Sequence, residues 1–180
     1  IEDDREARRA LKKAYASLTI GSGGAAVLLV AEELASTSQV WLGSTSRADT
    51  KSVGLCAGDR AADGGLVMVT DSEALLQAGN ALAATTFEEF LKQQDWTRDS
   101  IDRIITHQVG SAHRKLLLET LDLDPAKDFP SVQTLGNMGS ASLPATLYLA
   151  VEAGFIQKGE RVALLGIGSG LHCRMTALQW

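Results

Sequence analysis

Cysteine and proline are scarce in this 180-residue chain. Two cysteines, Cys56 and Cys173, are too few for a disulfide framework and are not spaced as a metal clip, so a reducing compartment and no metal site are expected. Three prolines beside 17 glycines, with 45% hydrophobic and 22% charged residues, exclude a fibrous or disordered chain and fit one globular domain or a large piece of one. A basic excess is missing too. Lys and Arg number 17 against 22 Asp and Glu, a formal net charge of -5, which argues against nucleic acid or an anionic membrane surface as partner. No apolar run reaches the roughly 20 residues of a bilayer span. The longest lies near Gly24–Ala31 and no signal peptide precedes it, so a cytoplasmic protein without a membrane span is the expectation. Ile1 rather than Met opens the chain and runs at once into charged helical sequence, as if the polypeptide had been cut or a companion piece withheld.

What is present alternates strand and helix signals. Glu2–Tyr15 has acids in its first turn and Lys12 and Lys13 near its end, as a helix dipole favours. Gly23–Val30 ends in Val27-Leu28-Leu29-Val30 and reads as a strand buried on both faces. Val40–Ser46 is a second strand, and the polar stretch from Arg47 to Gly65 reads as a surface loop. After a short strand, Leu66–Thr70, Asp71 or Ser72 caps a long helix through Lys92, with Leu75, Leu76, Leu82, Phe87, Phe90 and Leu91 on one stripe. Ile101–Thr106 is a strand that leaves His107 just past its end, where open α/β sheets line their sites. Ser111 is placed to cap a helix over Ala112–Leu121, Pro125–Pro130 breaks the chain, and Ser131–Leu135 reads as extended. Ser140 or Ser142 starts a helix to Glu152 with Pro144 in its first turn and Gly154 closing it. Arg161–Leu165 and Leu171–Leu178 are strands joined by the glycine turn Gly166–Gly170. The alternation predicts a layered α/β sheet.

The turn Gly166-Ile167-Gly168-Ser169-Gly170 does not fit a dinucleotide loop, which needs a further helix and strand where only ten residues follow Gly170. Nor does it fit a hydrolase nucleophile elbow, which places Ser at the centre of Gly-x-Ser-x-Gly with an acid and a His downstream. Locally it is a tight hairpin turn. His107 alone reads as a hydrogen-bonded wall residue, and Asn137 between two glycines as a turn residue. Together, each at a strand–helix junction with the glycine turn further on, they offer an imidazole, a carboxamide and free backbone N–H groups. Such a set stabilises a developing oxyanion or enolate. No nucleophile is evident among them.

In order and spacing, Thr106-His107-Gln108-Val109, Leu135-Gly136-Asn137-Met138-Gly139-Ser140-Ala141-Ser142-Leu143-Pro144 and Gly166-Ile167-Gly168-Ser169-Gly170-Leu171 resemble the His, Asn and terminal glycine motifs of the ketoacyl synthase III condensing enzymes, of the thiolase superfamily. The Leu55-Cys56 loop, Thr70–Leu76 and the closing segment to Trp180 are most similar to the bacterial enzymes that join two long-chain acyl-CoA molecules head to head in olefin biosynthesis.

The resemblance implies a layered αβαβα fold built from two halves, of which this chain holds the end of the first, residues 1–35, a connecting strand and loop, residues 36–65, and the second, residues 66–180. It implies a cysteine nucleophile upstream of Ile1, supplied by an N-terminal fragment or subunit. Cys56, in a Gly/Asp loop, and Cys173, in a terminal strand, lack the helix N-terminus that lowers a thiol pKa. It further implies that His107 and Asn137 hydrogen-bond the second donor's thioester carbonyl, and that the backbone N–H of Ser169 completes an oxyanion hole. Gly168, Gly170 and Gly110 would contact substrate. At Gly110 many relatives carry an Asn that touches the pantetheine arm, and His172 stands where the hydrocarbon-type enzymes tend to have Asn. Acyl-CoA, or an acyl carrier protein thioester, is the implied substrate, with no cofactor and a homodimer of the complete enzyme. The alternatives are decarboxylative condensation with malonyl-carrier protein, or a catalytically incomplete partner subunit.

Overall fold

The computed structural model describes Asp4, Ala7, residues 18–60, Gly64 and residues 66–180. The expected helix over Glu2–Tyr15 lies outside these except for Asp4 and Ala7, both helical. Four strands form one mixed sheet: β1 (Val40–Ala48), β4 (Arg103–Thr106), β5 (Arg161–Gly168) and β6 (His172–Gln179), in the spatial order β1-β6-β5-β4. β4 runs parallel to β5, and the other pairs are antiparallel. A second, two-stranded sheet pairs β2 (Cys56–Arg60) with β3 (Leu66–Thr70).

The pleat sorts neighbouring residues into two cores. Ile104, Ala163 and Leu165 pack with Phe87 and Phe90 of α1 (Ser72–Gln94) and with Leu117, Leu118 and Leu121 of α2 (Ser111–Leu121). Ile105 and Val162, one position along, pack instead with Ala150 of α4 (Ser142–Glu152). The mixed sheet therefore lies between helices on both faces, as the α/β pattern predicts. α1 begins where expected: the Asp71 carboxylate accepts the Ala74 N–H at 3.0 Å. It ends on Asp95 in the left-handed region (φ 53), whose N–H donates to Leu91 and Lys92 carbonyls.

Five local expectations need correction. The segment over Gly23–Val30 forms no strand, and Leu28 is 86% exposed, because no strand among the described residues pairs with it. The loop from Arg47 to Gly65 contains a 3-10 helix, Thr50–Leu55, and strand β2, whose register with β3 (Cys56 opposite Thr70) comes from a pairing that local sequence does not announce. Cys56 thus opens a strand rather than sitting in a loop. Residues after Ser131 are helical, not extended: α3 spans Val132–Leu135. Ser111 is the first residue of α2 and does not cap it; Gly110 holds the cap position without a side-chain bond.

Candidate active site

His107 follows β4 directly, and its backbone N–H donates to the Leu165 carbonyl of β5 at 2.9 Å. The strand end that aims it is fixed from below. The fully buried Asp128 carboxylate accepts from the Thr106 N–H and hydroxyl, both at 3.1 Å, and pairs with Arg114 of α2 at 2.5 Å. Burial pushes the Asp128 carboxyl up, while Arg114 and Thr106 pull it back toward the ionised form. Among the described residues no hydrogen bond occupies the His107 imidazole, and burial lowers its pKa, so at pH 7 it is a neutral ring with an N–H to donate.

His113, in the first turn of α2, is pushed further down, to about 4, by burial and by the neighbouring His107. Its Nδ1 is buried with no hydrogen-bond partner among the described residues.

Gln108 ties this strand end to the Asn137 loop. The side chain is buried; its amide donates to the Phe129 carbonyl at 2.6 Å, and its carbonyl accepts from the N–H groups of Ser131 and Val132 at 2.9 and 3.1 Å. Those two N–H groups open α3, whose C-terminal neighbour Gly136 (φ 66) delivers Asn137. There the Asn137 Oδ1 accepts from the Gly139 N–H at 2.9 Å. This holds the carboxamide oxygen and leaves Nδ2 without a hydrogen bond among the described residues. The Met138 N–H donates to the Ser142 hydroxyl at 2.8 Å, so the loop is anchored on the helix that follows.

A cavity of about 470 Å³ opens between residues 18–20, 109–111 and 132–136. Its walls include Val109, Gly110 and Ser111, which begin two residues after His107, and Val132 to Gly136, which end just before Asn137; neither His107 nor Asn137 is itself among the lining residues. The segments flanking His107 and Asn137, which are 30 positions apart in sequence, thus share one cavity. Gly168, Ser169 and Gly170 are not in its wall. They belong to the β5–β6 hairpin, with Gly168 opposite His172 and Gly170 at φ 125.

That hairpin meets Cys56 instead: the Ser169 hydroxyl donates to the Cys56 Sγ at 3.5 Å, and the Thr70 hydroxyl to the same sulfur at 3.7 Å. Cys173 is buried in the sheet core, and desolvation raises its thiol to about 11, which makes it an inert packing residue. No cluster of three or more His, Cys, Asp or Glu suited to a metal occurs among the described residues, and none of their helices is long and apolar enough to cross a membrane.

The sequence motif includes Gln108 without a role, and the sequence reading does not single out Asp128 or Arg114. Only Gln108 carried a signal, since an amide directly after a strand-end His is placed to bridge to a neighbouring loop.

With this geometry in hand, likeness to known proteins is informative. Residues 91–180 match the family of 3-oxoacyl-[acyl-carrier-protein (ACP)] synthase III C-terminal regions. The chain is 39% identical over 175 residues to an acyl-CoA:acyl-CoA alkyltransferase of Shewanella oneidensis, covering 93% of this chain and 50% of that protein. It is 37% identical to the enzyme of the same name from Xanthomonas campestris, covering 92% and 47%. A crystal structure of Xanthomonas campestris OleA with bound lauric acid and lauroyl-CoA superposes with a TM-score of 0.88 at 35% identity, over 96% of this chain and 50% of that one. The chain spans about half the length of these relatives. It belongs to the 3-oxoacyl-[acyl-carrier-protein] synthase III family, within the thiolase superfamily, and corresponds to the C-terminal region of its OleA-type members.

Proposed function

We propose that this chain is the C-terminal part of an acyl-thioester condensing enzyme that joins two acyl-CoA molecules without decarboxylation, its nucleophilic cysteine coming from an N-terminal fragment or subunit. The observation that carries the reading is a pair of donors, the His107 ring and the Asn137 Nδ2, that have no hydrogen-bond partner among the described residues and lie within two residues of segments lining one cavity. The alkyltransferase names and the lauroyl-CoA bound to the OleA relative support the substrate class.

In the first step the cysteine thiolate attacks the carbonyl of one acyl-CoA and expels CoA thiolate, which takes up a proton from solvent. The backbone N–H of Ser169, between Gly168 and Gly170, holds the oxyanion of that tetrahedral intermediate. The second acyl-CoA then loses an α-proton to a base outside the assigned residues, and its carbonyl oxygen takes the enolate charge. His107 and Asn137 donate to that oxygen. The carbanion attacks the acyl-cysteine carbonyl, the cysteine thiolate leaves, and a 3-oxoacyl-CoA results. Gly110 lies on the cavity wall as a substrate contact, and no cofactor enters any step. A homodimer of the completed assembly, with residues 1–35 belonging to the N-terminal half, fits the exposed apolar run at residues 27–30.

In the assembly with its cysteine-bearing partner, His107→Ala and Asn137→Ala should each leave cysteine acylation by acyl-CoA intact, as read by mass spectrometry. Formation of the 3-oxoacyl product should fall on the order of 10²-fold or more. Blocked acylation in either variant contradicts the assignment. A second reading, favoured by the contact of the Cys56 thiol with Ser169, puts the nucleophile in this chain. Cys56→Ala separates the two: acyl label that survives the substitution supports the outside cysteine, and label that disappears supports Cys56.

A further inference from the structure

The Asn137 loop is held by a segment far from it in sequence. Residue Gly21 donates its N–H to the Asn137 carbonyl and Asn137 donates its own to the Thr19 carbonyl, both at 2.8 Å, which makes a one-residue parallel bridge between Ile20 and Asn137. The two backbones approach too closely for side chains. A Cβ on Gly21 would land inside the van der Waals envelope of the Leu135 carbonyl oxygen, and one on Gly136 would sit 2.7 Å from the Thr19 carbonyl oxygen. Neighbouring Gly23 faces only the flexible Met138 side chain, with Sδ at 2.5 Å, and Gly24 has no heavy atom of the described residues within 4 Å. The glycine requirement thus falls off sharply within four residues.

We propose that Gly21, with the Thr19 carbonyl, is a positioning clamp for Asn137: it fixes the backbone from which the carboxamide reaches the second thioester, and so controls carbon–carbon bond formation through Asn137. The clamp rests on the role of Asn137 given above. Fixing a donor's backbone matters because a shift of about 1 Å in a reacting constellation costs roughly 10²-fold in rate. Leu18 and Ile20 are largely exposed, so the segment contributes little to the core, and its sequence constraint is explained by position rather than by packing.

The test is the series Gly21→Ala, Gly23→Ala and Gly24→Ala, with two readouts. Amide hydrogen exchange of Asn137 is followed in the chain, and acylation and condensation rates are followed in the assembly with its cysteine-bearing partner. Gly21→Ala should abolish protection of the Asn137 amide and lower kcat for condensation about 10- to 100-fold, with cysteine acylation and the KM for the first acyl-CoA unchanged. Gly23→Ala should have a smaller effect in the same direction and Gly24→Ala none; if Gly21→Ala does not fold, Gly23→Ala carries the comparison. Unchanged protection and unchanged condensation in Gly21→Ala overturn the clamp. Lost protection with unchanged condensation overturns the assignment of Asn137 instead.

Discussion

Residues 27–30 (Val-Leu-Leu-Val) and residues 162–165 (Val-Ala-Leu-Leu) have nearly the same composition and opposite fates. In the second run Val162 and Ala163 are fully buried and Leu165 is 2% exposed, because β4 and β6 pair on either side and helices cover both faces. In the first, Val27, Leu28 and Leu29 are each more than 60% exposed. An apolar run states a demand for burial; whether the demand is met depends on neighbours that the run does not encode. A contiguous exposed patch of this kind marks an interaction surface.

The contrast is sharpest for stability. Phe90→Ala, in the core that covers β5, should destabilise the chain by about 3–5 kcal/mol and lower its melting temperature accordingly. Next comes the polar joint: Gln108→Leu leaves the Phe129 carbonyl and the Ser131 and Val132 N–H groups without their partner, and should cost about 2 kcal/mol in a denaturant titration.

His113→Phe is smaller at pH 7, where it removes a buried ring nitrogen that has no hydrogen-bond partner among the described residues. Its effect shows in acid. The folded pKa values of both rings, His107 and His113, are depressed, that of His113 to about 4, so the fold resists protonation that the unfolded chain accepts below about 6.5. Stability is therefore present above that pH and is lost as pH falls toward about 4. Thermal melts between those limits should show a loss on the order of 2 kcal/mol that His113→Phe visibly flattens. Leu28→Ser, in the exposed run, should change the stability of the chain by less than about 0.5 kcal/mol. The same change should weaken association with the proposed cysteine-bearing partner, read by co-purification; a large loss of melting temperature would instead show that the run is already buried.

What the sequence made legible is what short-range chemistry decides. Helix α1 announces itself through its apolar stripe and the Asp71 cap, β4 through Ile104 and Ile105, and the end of α4 through Gly154 (φ 65). His107 past a strand end and Asn137 between glycines were also readable as positions, while their chemical roles came from family resemblance. Illegible features depend on distant partners. Helix α3 is seeded by the Gln108 carbonyl, more than 20 positions earlier, so the local sequence Ser131–Leu135 looked extended. β2 exists because Cys56 finds Thr70, and the bridge from Gly21 to Asn137 joins residues more than a hundred positions apart.

The central claim is that one thioester oxygen receives both donors. The direct measurement is a crystal structure of the chain, with its cysteine-bearing partner, bound to an unreactive acyl-CoA analogue that keeps the carbonyl. The account predicts that carbonyl oxygen within about 3.2 Å of both a His107 ring nitrogen and the Asn137 Nδ2. A bound analogue whose carbonyl meets neither side chain, or meets them at two different groups, would contradict it.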